Sequence, residues 1–336
     1  MLYLYSLLAA VAVTFTTVSN GPAVLYRGGP AVGGAVGVVL GLIILARSRP
    51  IDRVGPGIWP LAGLAAARVL SAAWHNAGWD LALAAVAAPV AYLVLARDPS
   101  RAAGILRSFG AGLAGVQLLQ LGMGYLINRN LIAHALLICA FAYLDDRPRF
   151  TSNFGFWLVL AALITTLSKG GAIGLCAGLA VYAGRGWLAI PAAPVLAGGL
   201  WLLRPWRSAA WRLECWRRSL DAWASGSMLG RGPGYQAWSH HMAVHAHNGI
   251  INELLWDGVL GVVLVAGGIG AMLLESPRWA RWQLAALVGV GAHYLVDDFT
   301  GCALCLALVA AVLAAGEKKA PPKRGMVSIP PYPYAT

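Results

Sequence analysis

The sequence predicts an all-α polytopic membrane protein of about twelve transmembrane helices, and three observations predict it. Hydrophobic residues fill 59% of the 336 positions and charged residues only 11%, with positive mean hydropathy. That balance is too apolar for a water-soluble core. Long apolar runs recur from end to end, and their charged residues collect at the ends of the runs. A helix needs about 20 residues to cross some ~30 Å of hydrocarbon.

In order, the runs are Leu2–Val18, Pro30–Ala46, Gly57–Trp74, Asp80–Ala96, Ala102–Leu126, Leu131–Leu144, Phe154–Leu167, Gly171–Ala183, Trp187–Leu203, Asn248–Leu274, Trp282–Phe299 and Cys302–Ala315. The first lacks the basic start and small-residue cleavage site of a signal peptide, so it reads as a retained helix. Phe154–Ala183 is short for two spans and long for one, with Ser168-Lys169-Gly170-Gly171 in its middle. Reading it as two spans sets the orientation of everything after it. Residues 1–316 then form one integral-membrane domain, and 317–336 a basic, Pro-rich cytoplasmic tail. The cysteines Cys139, Cys176, Cys215, Cys302 and Cys305 mostly lie inside apolar runs, as packing residues do. Cys302-x-x-Cys305 has no other ligand type nearby and is read the same way.

Positive charge collects on the cytoplasmic side of short loops. With a cytoplasmic N-terminus, the inner loops and tail hold Arg47, Arg49, Arg53, Arg97, Arg101, Arg107, Arg147, Arg149, Arg185, Arg278, Arg281, Lys318, Lys319, Lys323 and Arg324. Arg68 falls inside a span. The outer side keeps Arg27, Arg129, Lys169 and, in the single loop 204–247, Arg204, Arg207, Arg212, Arg217, Arg218 and Arg231. One loop therefore breaks the charge rule. It is either a solvated, headgroup-contacting loop or a site for an anion, and the net charge of +12 is read as serving a bilayer and an anionic substrate, not nucleic acid.

Within that loop, between the ninth and tenth spans, a 100° wheel puts Trp206, Ala209, Ala210, Leu213, Trp216, Leu220, Trp223 and Ala224 on one arc. Glu214, Asp221, Arg207 and Arg218 oppose it. This is the pattern of an amphipathic helix lying at a membrane interface. Arg212 lies at the edge of the apolar arc and Arg217 intrudes into it, where a planar five-donor fork suits a phosphate or diphosphate. Leu229-Gly230-Arg231-Gly232-Pro233-Gly234 follows, a turn whose backbone N–H groups could face an anion. His240-His241-Met242-Ala243-Val244-His245-Ala246-His247-Asn248 then leads into a long apolar span. His247 and Asn248 thus stand at a helix N-terminus, which favours anions, and a neutral histidine there can act as a general base.

Arg212-x-x-x-Trp216, Gly230-x-Gly232-Pro233-Gly234, His247-Asn248 and Gly258-x-x-Gly261, in that order, resemble the O-antigen ligase superfamily. That superfamily also holds Wzy-type O-antigen polymerases and bacterial protein O-oligosaccharyltransferases. Asn128-x-Asn130 and Ser168-Lys169-Gly170-Gly171 echo two upstream motifs of the same group. The resemblance implies a metal-independent, GT-C-type glycosyltransferase of the bacterial inner membrane, with both termini cytoplasmic and its site periplasmic. The donor would be a glycan on a polyprenyl diphosphate, and the acceptor a hydroxyl of a glycan, of lipid A core or of a protein. No cofactor is implied. Arg212 would hold the donor diphosphate and stabilise it as leaving group, and His247 would bind or deprotonate the acceptor. Lys169 stands where the family has an arginine, exchanging a bidentate fork for a point charge. Asp257 stands one position after the place where an acidic residue is common. Arg129, Arg217, Arg231, Asn248, Asp297 and Asp298 complete the candidate diphosphate and glycan contacts.

Other readings stay open at this level. Arg217, Arg218 and Arg231 could snorkel to headgroups, and Arg68 and Arg129 could line a carrier groove or pair structurally. His134, within the sixth run, is read as a hydrogen-bonded structural residue. His293 and Asp297 share a helix face and could meet acceptor sugar, pair with an arginine or cap the helix. His241-x-x-x-His245 has one-turn metal-ligand spacing but no His-Glu-x-x-His pattern, so a zinc hydrolase is the weaker rival. A transporter or flippase for a lipid-linked anion is the stronger one, although no internal repeat relates the two halves.

Overall fold

A computed structural model describes residues 38–39, 42–46, 54–122, 129–144, 154–185, 207–239, 242–244, 246–275, 279–296 and 303–316. Among the described residues the fold is all-α with one short hairpin. The helices are α1 (Ile58–His75), α2 (Trp79–Leu95), α3 (Pro99–Gly122), α4 (Arg129–Ala142), α5 (Phe154–Thr165), α6 (Lys169–Tyr182), α7 (Arg207–Ala224), α8 (Gly249–Glu275), α9 (Arg281–Tyr294) and α10 (Ala303–Ala315). Strands β1 (Ala237–Ser239) and β2 (Met242–Val244) pair antiparallel between α7 and α8, an element the sequence did not suggest. Runs expected at Leu2–Val18, Trp187–Leu203 and most of Pro30–Ala46 lie outside the described residues, as do the tail 317–336, His240, His241, His245, Cys302, Asp297 and Asp298.

Among the described residues two helices, Arg101–Leu119 and Gly249–Leu274, are long and apolar enough to cross a membrane, and the shorter apolar helices include Trp79–Leu95 and Phe154–Thr165. Phe154–Ala183 forms two helices. Thr166, Leu167 and Ser168 turn the chain between them, with the Leu167 N–H donating to Ile164 O at 3.0 Å and Leu167 in the left-handed region. Close approaches give the directions. Gly155, at the start of α5, lies against Tyr143 just beyond the end of α4, whereas Gly171, at the start of α6, meets both Ala133 near the start of α4 and Leu163 near the end of α5. Helix α5 thus runs antiparallel to α4 and α6.

The core has two parts. In one, α4 is a central post, with Ala133 through Ala142 buried on every face and enclosed by α3, α5, α9 and α10. In the other, α1 and α2 pack with Met272 of α8 against α10, which gives Leu308, Ala311 and Val312 to the first part and Leu306, Ala310, Leu313 and Ala314 to the second. Small residues let two antiparallel pairs approach closely. Along α6, a Cβ at Gly174 would sit 2.6 Å from Gly289 O, and one at Gly178 2.6 Å from Ala285 O. Between α1 and α8, a Cβ at Gly63 would sit 2.5 Å from Leu264 O and one at Gly268 2.5 Å from Trp59 O. Such close backbone approach adds dispersion contacts along both helix pairs.

These pairings bring the start of α4, the α5–α6 turn, the start of α8 and the end of α9 to one end of the bundle. Because the α6–α9 seam has no room for a larger side chain, Gly174→Leu should separate the two helices and cost about 1–3 kcal/mol. A fall in the thermal unfolding midpoint of the detergent-solubilised protein would register it.

Candidate functional site

The site is built around a helix that is broken on purpose. Within α8, Gly258 has φ 69° and ψ −165°, outside helical space, so residues 249–257 form a separate first segment. A break frees carbonyls that must find donors, especially in an apolar surrounding. Arg231 N donates to Leu255 O at 2.7 Å, Gly232 N to Trp256 O at 3.1 Å, and Ser71 Oγ to Trp256 O at 2.6 Å. The loop presses so close that a Cβ on Gly258 would strike Met228 O, and one on Gly230 would lie 2.7 Å from Leu255 O. Both glycines have positive φ. The sequence expectation that the N–H groups of this turn face an anion is therefore corrected. Gly230 N bonds Ser227 O at 2.9 Å, and the next two amides are spent on the break.

Beside the break lies the charge the sequence left open. Arg68 of α1 is fully buried. Its Nη2 donates to Glu253 Oε1 at 2.6 Å, its Nη1 lies 3.2 Å from Asp257 Oδ2, and its guanidinium stands 4.5 Å from the centre of the Trp256 ring. Tyr294 Oη donates to the same Glu253 Oε1 at 3.2 Å. Arg68 is thus paired structurally. Glu253 and Tyr294 were missed in the sequence, where two acids one turn apart in an apolar run, with a lone arginine in another run, were the available signal.

At the end of the bundle the expected site residues sort into two groups. Ser168 caps α6, its Oγ accepting from Gly171 N at 3.1 Å and donating to Asn130 Oδ1 at 2.8 Å. This puts the starts of α4 and α6, with Arg129 and Lys169 as first residues, side by side. Gly170 lies against the imidazole of His293, and a Cβ there would be 3.0 Å from Val296 Cγ2. Arg212 reaches the same Val296 from α7, Nη1 donating to its carbonyl at 2.6 Å. Asn248 caps α8, its Oδ1 accepting from Ile251 N at 3.1 Å, while its Nδ2 donates to Leu295 O at 2.8 Å. Half-buried His247 precedes that cap with φ 50°, a left-handed conformation uncommon outside glycine. Arg212, Asn248 and Gly170 thus gather around Leu295–Val296, with His247 and Lys169 next to them in the chain and the starts of α4, α6 and α8 close by. Oriented amides and dipole ends at such termini favour negative charge. Below them the buried rings of His134 and His293 lie 5.4 Å apart, centre to centre.

Arg217 and Arg231 stand apart from this group. Arg217 makes a two-pronged bond to Glu214, at 3.0 and 3.1 Å, and Arg218 adds a third at 2.7 Å. Hydrogen bonds from both guanidiniums hold the Glu214 carboxyl down to about 2, so it remains an anion throughout the physiological range. Arg231 closes the end of α7, donating to Ala222 O at 2.8 Å and to Ser225 Oγ. The wheel is resolved in the same view. Helix α7 packs on the protein through Cys215 and Ser219, only 1% and 0% exposed, while Leu213 is 53% exposed and Leu220 also points away. Arg212 is half-buried and reaches back to the bundle, whereas the leucines face outward.

Compared with protein-family models, curated proteins and solved structures, the chain matches none.

Because position 258 needs both a positive φ and the space of a missing Cβ, Gly258→Ala should undock the 228–232 loop. Faster amide hydrogen exchange at Arg231 and Gly232, with α4 unchanged, is the expected result; unaltered exchange there would show that the loop does not depend on the break.

Proposed function

We propose that the chain is a multi-pass membrane glycosyltransferase of GT-C type. On this reading it moves or polymerises a glycan from a polyprenyl diphosphate onto an acceptor hydroxyl at the periplasmic face of a bacterial inner membrane, as the O-antigen ligase-like motifs imply. The observation that carries the reading is the approach of Arg212, Asn248 and Gly170 to Leu295–Val296, with His247 and Lys169 their neighbours in the chain. About twelve spans, counted from the apolar runs, would put that end of the bundle outside and the arginine-rich inner loops in the cytoplasm.

In the proposed reaction, His247 accepts the proton of the acceptor hydroxyl as its oxygen bonds to the anomeric carbon. The bond from that carbon to the diphosphate oxygen breaks, and the electron pair leaves with the lipid diphosphate. Arg212 and Lys169 stabilise the charge that builds on the leaving oxygens, the electrostatic contribution that dominates such reactions. Position and charge are supplied by the chain, so a donor already activated as a diphosphate needs no metal in this scheme. The left-handed backbone at His247 fits a residue held for chemistry, since strained conformations gather at functional sites. Leu213 and Leu220, turned outward from α7, fit a helix lying at the lipid interface close to a lipid-borne donor.

Transport of a lipid-linked anion is the competing reading, and the discontinuous α8 is the observation that favours it, since transporters build substrate sites from broken helices. Here, however, Arg231, Gly232 and Ser71 occupy the freed carbonyls Leu255 O and Trp256 O.

Purified protein in lipid nanodiscs, supplied with a lipid-diphosphate oligosaccharide and each acceptor class, should form glycan product in chelator. His247→Ala and Arg212→Ala should each lower transfer at least about a thousandfold while folding normally. Lys169→Arg should keep activity within about tenfold, because a guanidinium can replace the ammonium at a phosphate. Lipid translocation without glycan product would replace this reading with transport.

A further inference from the structure

We propose that Arg68 is a positioning residue for the site. From inside the bundle it fixes where His247, Asn248 and Arg212 stand. The functional half of this inference rests on the transferase reading above; the structural half does not.

The route is continuous. Residues 249–257 form a short block, cut off from the rest of α8 at Gly258. Its far end is held by Arg68, which touches Glu253, Trp256 and Asp257 together, and by Ser71 on Trp256 O. Its near end carries the cap Asn248 and, just before it, His247. Between the two ends, Glu253 takes both the Arg68 guanidinium and the Tyr294 hydroxyl on one oxygen, Oε1. The Tyr294 ring also lies close enough to Gly249 that no Cβ would fit there. The two residues after Tyr294 supply the carbonyls that hold the site, Leu295 O for Asn248 and Val296 O for Arg212. The chain of contacts is therefore Arg68, Glu253, Tyr294, Leu295–Val296, then Asn248 and Arg212.

Electrostatics makes Arg68 the controlling member of that chain. Two carboxylates one helical turn apart, almost wholly excluded from solvent, are held together by one guanidinium. Without it they repel each other at low dielectric and lose their main donor, so the block must shift or open. A lysine is a poorer replacement, since its point charge lacks the planar fork that gives one N–H edge to each acid while a face lies on Trp256.

The test uses the full chain in nanodiscs and a triple variant, Arg68→Met with Glu253→Gln and Asp257→Asn, which removes the charges together and keeps side-chain volume. Tyr294→Phe is the second variant, cutting a single link without disturbing the ion pair. In the triple variant, amide exchange at Ile251, Asn252, Arg231 and Gly232 should rise at least about tenfold with α4 unchanged. In Tyr294→Phe the rise should be confined to Ile251 and Asn252. With lipid-diphosphate glycan as substrate, both variants should lose kcat about tenfold or more and keep KM for the donor within a few-fold. Wild-type exchange at Ile251 and Asn252 in Tyr294→Phe, or in a folded triple variant, would overturn the proposal. If wild-type protein transfers nothing to any acceptor, the transferase reading fails and the exchange result still decides the positioning role.

Discussion

The constraint on which the rest of the structure depends is the break in α8. A helix interrupted at Gly258 inside an apolar bundle leaves carbonyl groups that water cannot reach, and each carries a desolvation cost of about 1–3 kcal/mol if left unmade. The 228–232 loop and Ser71 meet that demand. In doing so they anchor the whole segment between α7 and α8, which has little buried apolar surface of its own. The loop also rests on His75, Gly78 and Leu81, and the break adds the carbonyls that hold Arg231 N and Gly232 N.

Charge follows the same economy of partners. Arg68 is tolerated at zero exposure because two acids and an indole face surround it, and those acids are tolerated because of Arg68. By contrast, the arginines of α7 divide by direction. Those toward solvent share Glu214, while Arg212 turns inward to a carbonyl. A main-chain carbonyl is a modest partner for a guanidinium. An incoming phosphate oxygen could replace it with little loss, whereas no ligand would displace Arg217 from a carboxylate as readily.

Much of the helical plan was legible in the sequence, because apolar runs bounded by charge and glycine mark helices well. The described helices begin and end within a few residues of those runs, and α7 appears where the 100° pattern put it. Phe154–Ala183 was harder. Helices of 12 and 14 residues fall below the ordinary spanning length, and only contacts with α4 show that α5 turns back. The site was legible in part. His247-Asn248 at a helix start is read from the apolar span that follows it, while Ser168, read only as part of a motif, proves to be the cap of α6. Val296 could not be read, because a backbone carbonyl has no sequence signature. Neither could the Arg68–Glu253 pair, whose members lie 185 positions apart. The glycine turn misled for a related reason: its amides looked available until the distant carbonyls of α8 claimed them.

The orientation of α7 has a mechanical consequence. Its outward leucines and inward Arg212 lie on one rigid rod, so on the proposed reading the rod works as a float that packs on the protein through Cys215, Ser219 and Trp223, with Arg212 as its strut to the end of α9. A change in lateral pressure or thickness of the surrounding lipid would tilt the float, and the strut would carry that tilt to Val296. The guanidinium would then be placed partly by the bilayer itself, making lipid composition a determinant of the site's geometry alongside the sequence.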